Sequence, residues 1–273
     1  MCDIKGCGNH RTLPPIRISN SDRRLFLKGL ASLPLATVLA YPELARAAAD
    51  GTRTVMLTTR GGRDVSAALA MPDTDKAPAV LLIHEWWGLN DQIRSVAAEL
   101  ARLGYLALAV DLYGGEVADT PDGARALMRS VDPAAATDIL VSWIDYLKKN
   151  PASTGRVGTV GWCFGGGWSL NASLATPVDA TVIYYGNVKK EATDLASLQG
   201  PVLGHFATRD GWIDRDMVSG FETAMQSAGK SELTVHWYEA DHAFANPTSA
   251  RYDADDAALS WERTVEFLRQ NLG

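Results

Sequence analysis

Cys163 sits at the centre of Gly161-Trp162-Cys163-Phe164-Gly165, and two more glycines, Gly166 and Gly167, follow. The pattern falls where a buried strand is expected to end and a helix to begin. A nucleophile placed there rides on a sharp, strained turn, and a side chain two positions away on either side would crowd the neighbouring backbone. The start of the helix also puts positive dipole beside the sulfur, which favours the thiolate. Two further groups follow downstream: Asp210 in Ala207-Thr208-Arg209-Asp210-Gly211 and His242 in Ala240-Asp241-His242-Ala243-Phe244. A thiol, an acid and an imidazole in that order can carry out acyl transfer. His242 takes the thiol proton, and Asp210 sets the imidazole tautomer and supports the imidazolium. Asp214 is the local rival for the acid. Taken singly, each residue has an ordinary reading: a buried cysteine, a turn-forming aspartate, a surface histidine. The conjunction carries the argument, because each follows a predicted strand.

Those strands are predicted from patterning. Thr54–Thr59 and Val65–Ala70 read as a hairpin across Arg60-Gly61-Gly62-Arg63. Ala79–His84, Tyr105–Val110, Arg156–Gly161, Ala180–Tyr185, Val202–Ala207 and Leu233–Tyr238 read as further strands, several of them continuous apolar runs suited to burial on both faces. Between them, Asp91–Leu103, Asp119–Arg129, Pro133–Lys149, Phe164–Ala175, Asp214–Ala228 and Asp255–Asn271 carry helical spacing. Strands alternating with helices imply an α/β fold, a mostly parallel sheet with helices on both faces. Such sheets place their sites at the carboxyl ends of the strands, where all three residues fall. The nucleophile–acid–histidine order is that of the α/β-hydrolase fold.

Residues 1–47 read differently. Arg23-Arg24-Leu25-Phe26-Leu27-Lys28 precedes a short apolar stretch from Gly29 to Tyr41, and Ala45-Arg46-Ala47 offers a small-x-small cleavage site. The pattern resembles a twin-arginine export signal, with the twin-arginine machinery as partner and a periplasmic or secreted destination. The apolar stretch is short for a membrane span, which takes about 20 residues, so no stable span is expected in the mature form. The expected domains are therefore 1–47, the signal, and 48–273, the folded body. The chain has 273 residues and a formal net charge of −6. Seven of its 26 Lys/Arg and three of its 32 Asp/Glu lie in the first 47 residues, so the body opposes 19 basic to 29 acidic groups. That balance argues against nucleic-acid binding. Of three cysteines, Cys2 and Cys7 lie in the signal, and Cys163 alone remains in the body.

The body from about Thr54 to Leu272 resembles the dienelactone hydrolase (carboxymethylenebutenolidase) family. The matching pieces are Ile83-His84-Glu85-Trp86-Trp87-Gly88-Leu89-Asn90, Asp111-Leu112-Tyr113, the Cys163 turn, His236-Trp237-Tyr238 and His242-Ala243-Phe244. The resemblance implies a Cys163–Asp210–His242 triad that cleaves an ester or enol-lactone, with Glu85 helping to activate the thiol. A carboxylate at the end of a buried strand is partly desolvated and can hold a proton. The backbone N–H groups of Trp86 and Phe164 are expected to form the oxyanion hole. Trp87, Tyr113, Arg125, Trp212 and Phe244 are candidate substrate contacts. Asn246 and the 121–125 region depart from the family, whose founding members carry an arginine at the first and an arginine and a tyrosine in the second. Arg125 or Arg209 could supply the missing charge. No metal or organic cofactor is implied, since His84 has no partner at metal-ligand spacing. Two other readings share this sequence: a broad carboxylesterase or thioesterase with the same triad, and a silent binding or redox-sensing protein with an oxidisable Cys163.

Overall fold

The computed structural model describes residues 42–273. Most of the expected export segment, with Cys2 and Cys7, lies outside the described residues. Its last residues fall in the first helix among the described residues, α1 (Pro42–Ala49), so the expected cleavage position after Ala47 lies inside a helix. Ala45 and Ala49 are buried there, and the Ser95 hydroxyl donates to the Ala45 carbonyl at 2.6 Å.

Eight strands among the described residues form one sheet: β1 (Arg53–Thr58), β2 (Asp64–Ala70), β3 (Ala77–Ile83), β4 (Leu106–Val110), β5 (Ser153–Trp162), β6 (Ala180–Tyr184), β7 (Val202–Ala207) and β8 (Leu233–Tyr238). Their order is β1-β2-β4-β3-β5-β6-β7-β8. The first two strands pair antiparallel, as the two-glycine turn predicts, and β2 meets β4 antiparallel. All pairs from β4 to β8 are parallel. The continuous apolar runs explain this. β4, β6 and β7 are buried along their whole length, and only a sheet covered on both faces can bury such strands.

The helices that cover it are α2 (Asp91–Arg102), α3 (Pro121–Ser130), α4 (Pro133–Lys149), α5 (Phe164–Ala175), the short α6 (Ala192–Leu195), α7 (Arg215–Ser227) and α8 (Ala254–Leu272). Alternate residues of β3 sort to opposite faces. Val80 and Leu82 pack with α2 and α8, whereas Ala79, Leu81 and Ile83 pack with α4. Local signals set the helix ends. Asn90, Thr120, Asp132, Asp214 and Asp253 each accept a backbone N–H at an N-cap, and Pro121 and Pro133 stand in first turns. Gly104 takes the left-handed conformation just past α2, at φ 95°. The strand at 156–161 is longer than expected, starting at Ser153. Tyr185 leaves the strand with φ 36° rather than ending it, and α6 was not anticipated. Among the described residues no helix is long and apolar enough to cross a membrane.

Candidate active site

Parallel strands bring their carboxyl ends to one edge of the sheet, and five adjacent strands each deliver a polar or reactive residue there. Glu85 follows β3, Cys163 follows β5, Tyr185 follows β6, Asp210 follows β7 and His242 follows β8.

Cys163 is the N-cap of α5 with φ 54° and ψ −116°, a strained conformation for a residue with a side chain. Its N–H donates to the Tyr184 carbonyl at 2.9 Å, and its own carbonyl accepts from Gly166 at 3.0 Å. The flanking glycines are sterically required. A Cβ at Gly161 would run into the Gly165 carbonyl, and one at Gly165 into the carbonyls of Ile83 and His84; at Gly166 it would lie 2.7 Å from the Tyr184 oxygen. Behind the turn, buried hydroxyls fasten α5 to the sheet: Ser169 Oγ donates to Thr159 Oγ1 at 2.8 Å, and Thr181 Oγ1 donates to Ser173 Oγ at 2.7 Å.

His242 couples to both other groups. Its Nδ1 lies 2.6 Å from Asp210 Oδ2, and the ring feels the Cys163 side chain, which works to raise its pKa. Asp210 Oδ1 accepts the N–H groups of Trp212 at 2.8 Å and Ile213 at 3.1 Å, so the carboxylate is held on both oxygens. The rival Asp214 is engaged elsewhere, capping α7 through the Met217 N–H. Burial works to lower the His242 pKa, but the hydrogen bond to Asp210 and the influence of the Asp210 and Cys163 side chains outweigh it and push it up to about 10. Burial raises Asp210, yet the His242 bond and charge and the two N–H donors leave it below the ordinary carboxylate range. The site therefore favours the protonated imidazole beside the Asp210 carboxylate.

Glu85 is buried, and its direct hydrogen bonds go to Tyr185 and Asn246. Tyr185 OH donates to Oε1 at 3.2 Å, and Asn246 Nδ2 donates to Oε2 at 2.5 Å. Burial raises the Glu85 pKa. The Asn246 donor, the His242 charge and the Tyr185 hydroxyl offset only part of that. Tyr185 is itself fully buried, packs 5.0 Å from the His242 ring, and feels the charges of both Glu85 and Cys163.

The loop after β3 is fixed by backbone conformation and by Tyr113. Gly88 has φ 97°, and Tyr113 OH donates to the Trp86 carbonyl at 3.2 Å. Among the described residues no protein acceptor is bonded to the N–H of Trp86 or of Phe164. His84 Nε2 accepts the Leu112 N–H at 3.2 Å, so its proton sits on Nδ1, 2.6 Å from the Glu85 carbonyl. Two backbone partners thus occupy that ring in a structural role.

The candidate substrate contacts divide. Trp212 is 62% exposed with its ring 5.1 Å from that of His242, and Trp87 packs against Trp86 at 5.1 Å. Tyr113 is nearly buried but near enough for the Cys163 charge to add to the burial that raises its pKa. Phe244 is fully buried in the core against Tyr238 and Tyr185. Arg125 is paired with Asp122 on α3, and Arg209 with Asp241. A cation the spacing did not single out, Arg251, has its guanidinium 5.3 Å over the Trp212 ring. Tyr185 also escaped sequence reasoning, because it reads as the last residue of an apolar strand. A tyrosine just before Gly186, where a strand must turn, is the signal that was present.

Residues 65–272 match the model of the dienelactone hydrolase family. Carboxymethylenebutenolidase 1 of Cupriavidus pinatubonensis is 30% identical over 225 residues, covering 78% of this chain and 95% of that protein. The carboxymethylenebutenolidase of Pseudomonas putida is 30% identical over 232 residues, covering 80% and 96%. A dienelactone hydrolase-like promiscuous phosphotriesterase from metagenomic libraries superimposes with a TM-score of 0.74 at 22% identity, covering 82% of this chain and 100% of that one. That likeness speaks to the fold, which is the α/β-hydrolase fold.

Proposed function

Because the chain belongs to the dienelactone hydrolase family, we propose that it cleaves a carboxylic ester or enol-lactone through a Cys163–Asp210–His242 triad and a thioester intermediate. The observation that carries this reading is a single imidazole bonded to a carboxylate and electrostatically coupled to the cysteine of a strained helix N-cap. The Cys163 thiolate attacks the carbonyl carbon and forms a C–S bond. The oxyanion is received by the N–H groups of Phe164 and Trp86, which have no protein acceptor among the described residues. The C–O bond then breaks, and His242 protonates the leaving oxygen. In the second half, His242 takes a proton from water, the hydroxide attacks the thioester, and the thiolate departs. Glu85 assists thiol activation by taking up a proton as substrate binds and giving it back when the resting thiol re-forms after deacylation. Its Oε1 is bonded to the Tyr185 hydroxyl, which feels the Cys163 charge, and that hydroxyl is the route proposed for the exchange. Trp87 and Trp212 flank the acyl or leaving group.

Residues 1–47 act as a twin-arginine export signal in this reading, and the enzyme works in the periplasm or outside the cell. Cleavage near Ala47 then requires α1 to be undocked from α2.

A panel of aryl esters, thioesters and enol-lactones with wild type and Cys163→Ala tests the function. Loss of hydrolysis of at least 10³-fold is expected on removing the nucleophile, and retained activity in Cys163→Ala would remove the triad. The same panel separates lactone cleavage from a broad esterase or thioesterase.

A further inference from the structure

Asn246 is buried and sits four residues beyond His242 in the same loop. Its amide has no freedom of assignment. Oδ1 accepts the Thr248 N–H at 2.9 Å and the Thr248 hydroxyl at 2.7 Å, and a backbone N–H can only donate. The Nδ2 group must therefore be the one that meets Glu85 Oε2, and it too can only donate. Oε2 is thus held as an acceptor in both charge states of the carboxyl. The other oxygen, Oε1, faces a hydroxyl that can donate or accept.

We propose that Asn246 is a positioning residue for Glu85: it fixes the carboxyl plane and confines the proton of the neutral acid to Oε1, the oxygen that faces Tyr185. The inference deepens, and rests on, the role given to Glu85 above. It has a chemical consequence. A neutral amide stabilises the carboxylate less than a cation would, so burial still dominates and Glu85 keeps a raised pKa. The titratable groups facing Glu85 are Tyr185 at the end of β6 and His242 in the loop after β8; Cys163 at the end of β5 acts on Tyr185. Of these, only the His242 imidazolium is cationic. The proton that Glu85 gives up or takes therefore passes through Oε1, the oxygen that meets Tyr185, and not through Oε2, which meets Asn246.

Infrared difference spectroscopy on the whole protein, titrated with pH, reads this directly. The protonated Glu85 carbonyl band is assigned by its loss in Glu85→Gln. In wild type that carbonyl is Oε2 and accepts the Asn246 donor. Asn246→Leu removes the donor, so the band should move to higher frequency and the titration midpoint should rise by roughly 1–2 pH units. Thr248→Val, which loosens the amide without removing it, should shift both in the same direction by less, and serves if Asn246→Leu does not fold. The acid limb of Cys163 alkylation should follow the midpoint in each Asn246 and Thr248 variant but not when Glu85→Gln is added. An unchanged band and midpoint in the folded variants overturns the proposal. These carboxyl readouts need no turnover. Should the ester panel instead show hydrolysis without Cys163, the triad fails while the assignment of the Glu85 proton is judged on its own.

Discussion

Asp210→Asn is the substitution that interrogates the triad with least disturbance. In the native site Oδ1 accepts two backbone N–H groups and Oδ2 accepts the His242 Nδ1 proton. The asparagine amide has two orientations. With its oxygen toward Trp212 and Ile213, both N–H groups stay satisfied, but its NH2 points at His242 Nδ1. Nδ1 must then become an acceptor, the proton moves to Nε2, and the imidazole can no longer take the thiol proton. With the amide flipped, the tautomer is right but two buried N–H groups face a donor. At about 1–3 kcal/mol for each, the flip costs roughly 2–6 kcal/mol. The competent tautomer is therefore populated at about one part in 30 to one part in 10⁴, and kcat/KM should fall by about 30-fold to 10⁴-fold. The upper end matches the loss seen in serine triads with the same defect. The fold should survive, because the first orientation leaves every group partnered.

The assays are steady-state hydrolysis of an aryl ester and a denaturant melt across pH. The melt adds a signature. His242 holds its proton more tightly when folded than its ordinary value of 6.5, up to about 10. Its stabilisation is thus fully present below pH 6.5 and lost as pH rises through about 10. Asp210→Asn should flatten that dependence and slow Cys163 alkylation near neutral pH. Activity within tenfold of wild type would refute the reasoning, since it would mean the 2.6 Å contact does not set the tautomer.

The steric account of the Cys163 turn predicts that Gly165→Ala loses more than about 3 kcal/mol of stability or fails to fold, because the new Cβ meets two backbone carbonyls that cannot yield. Gly220→Ala, in an exposed stretch of α7 with open space around it, should instead stabilise by about 0.5–1 kcal/mol; equal effects in a urea melt would contradict the account. Export predicts that material recovered from outside the cytoplasm begins close to residue 48, and N-terminal sequencing that finds an intact Met1 there would contradict cleavage.

The amino-acid sequence by itself determined the features that depend on neighbours along the chain. The apolar runs specify buried strands, and the caps at Asn90, Asp132 and Asp214 specify where helices start. The glycines around Cys163 specify the turn because the clashes they avoid are with residues a few positions apart and with the ends of two strands packed close by, β3 and β6. Placing the reactive residues at strand ends followed from the same patterning, since parallel strands share an edge. Family motifs narrowed the chemistry further. Only the tertiary structure decided between partners. Spacing favours Asp210 but leaves Asp214 as a close rival, and the 2.6 Å bond of Asp210 to a histidine 32 positions away separates them. Asn246 looked like the loss of a charge, and its bond to Glu85, 161 positions distant, makes it a fixed donor. Phe244 carries the aromatic surface a pocket wall needs, but the packing of Tyr185 and Tyr238 takes it into the core. The physical reason is common to all three. Local backbone choice is governed by sterics and burial along a few residues, whereas a hydrogen bond between loops depends on strand order, and β3 lies between β4 and β5 here. No periodicity in the chain encodes that order.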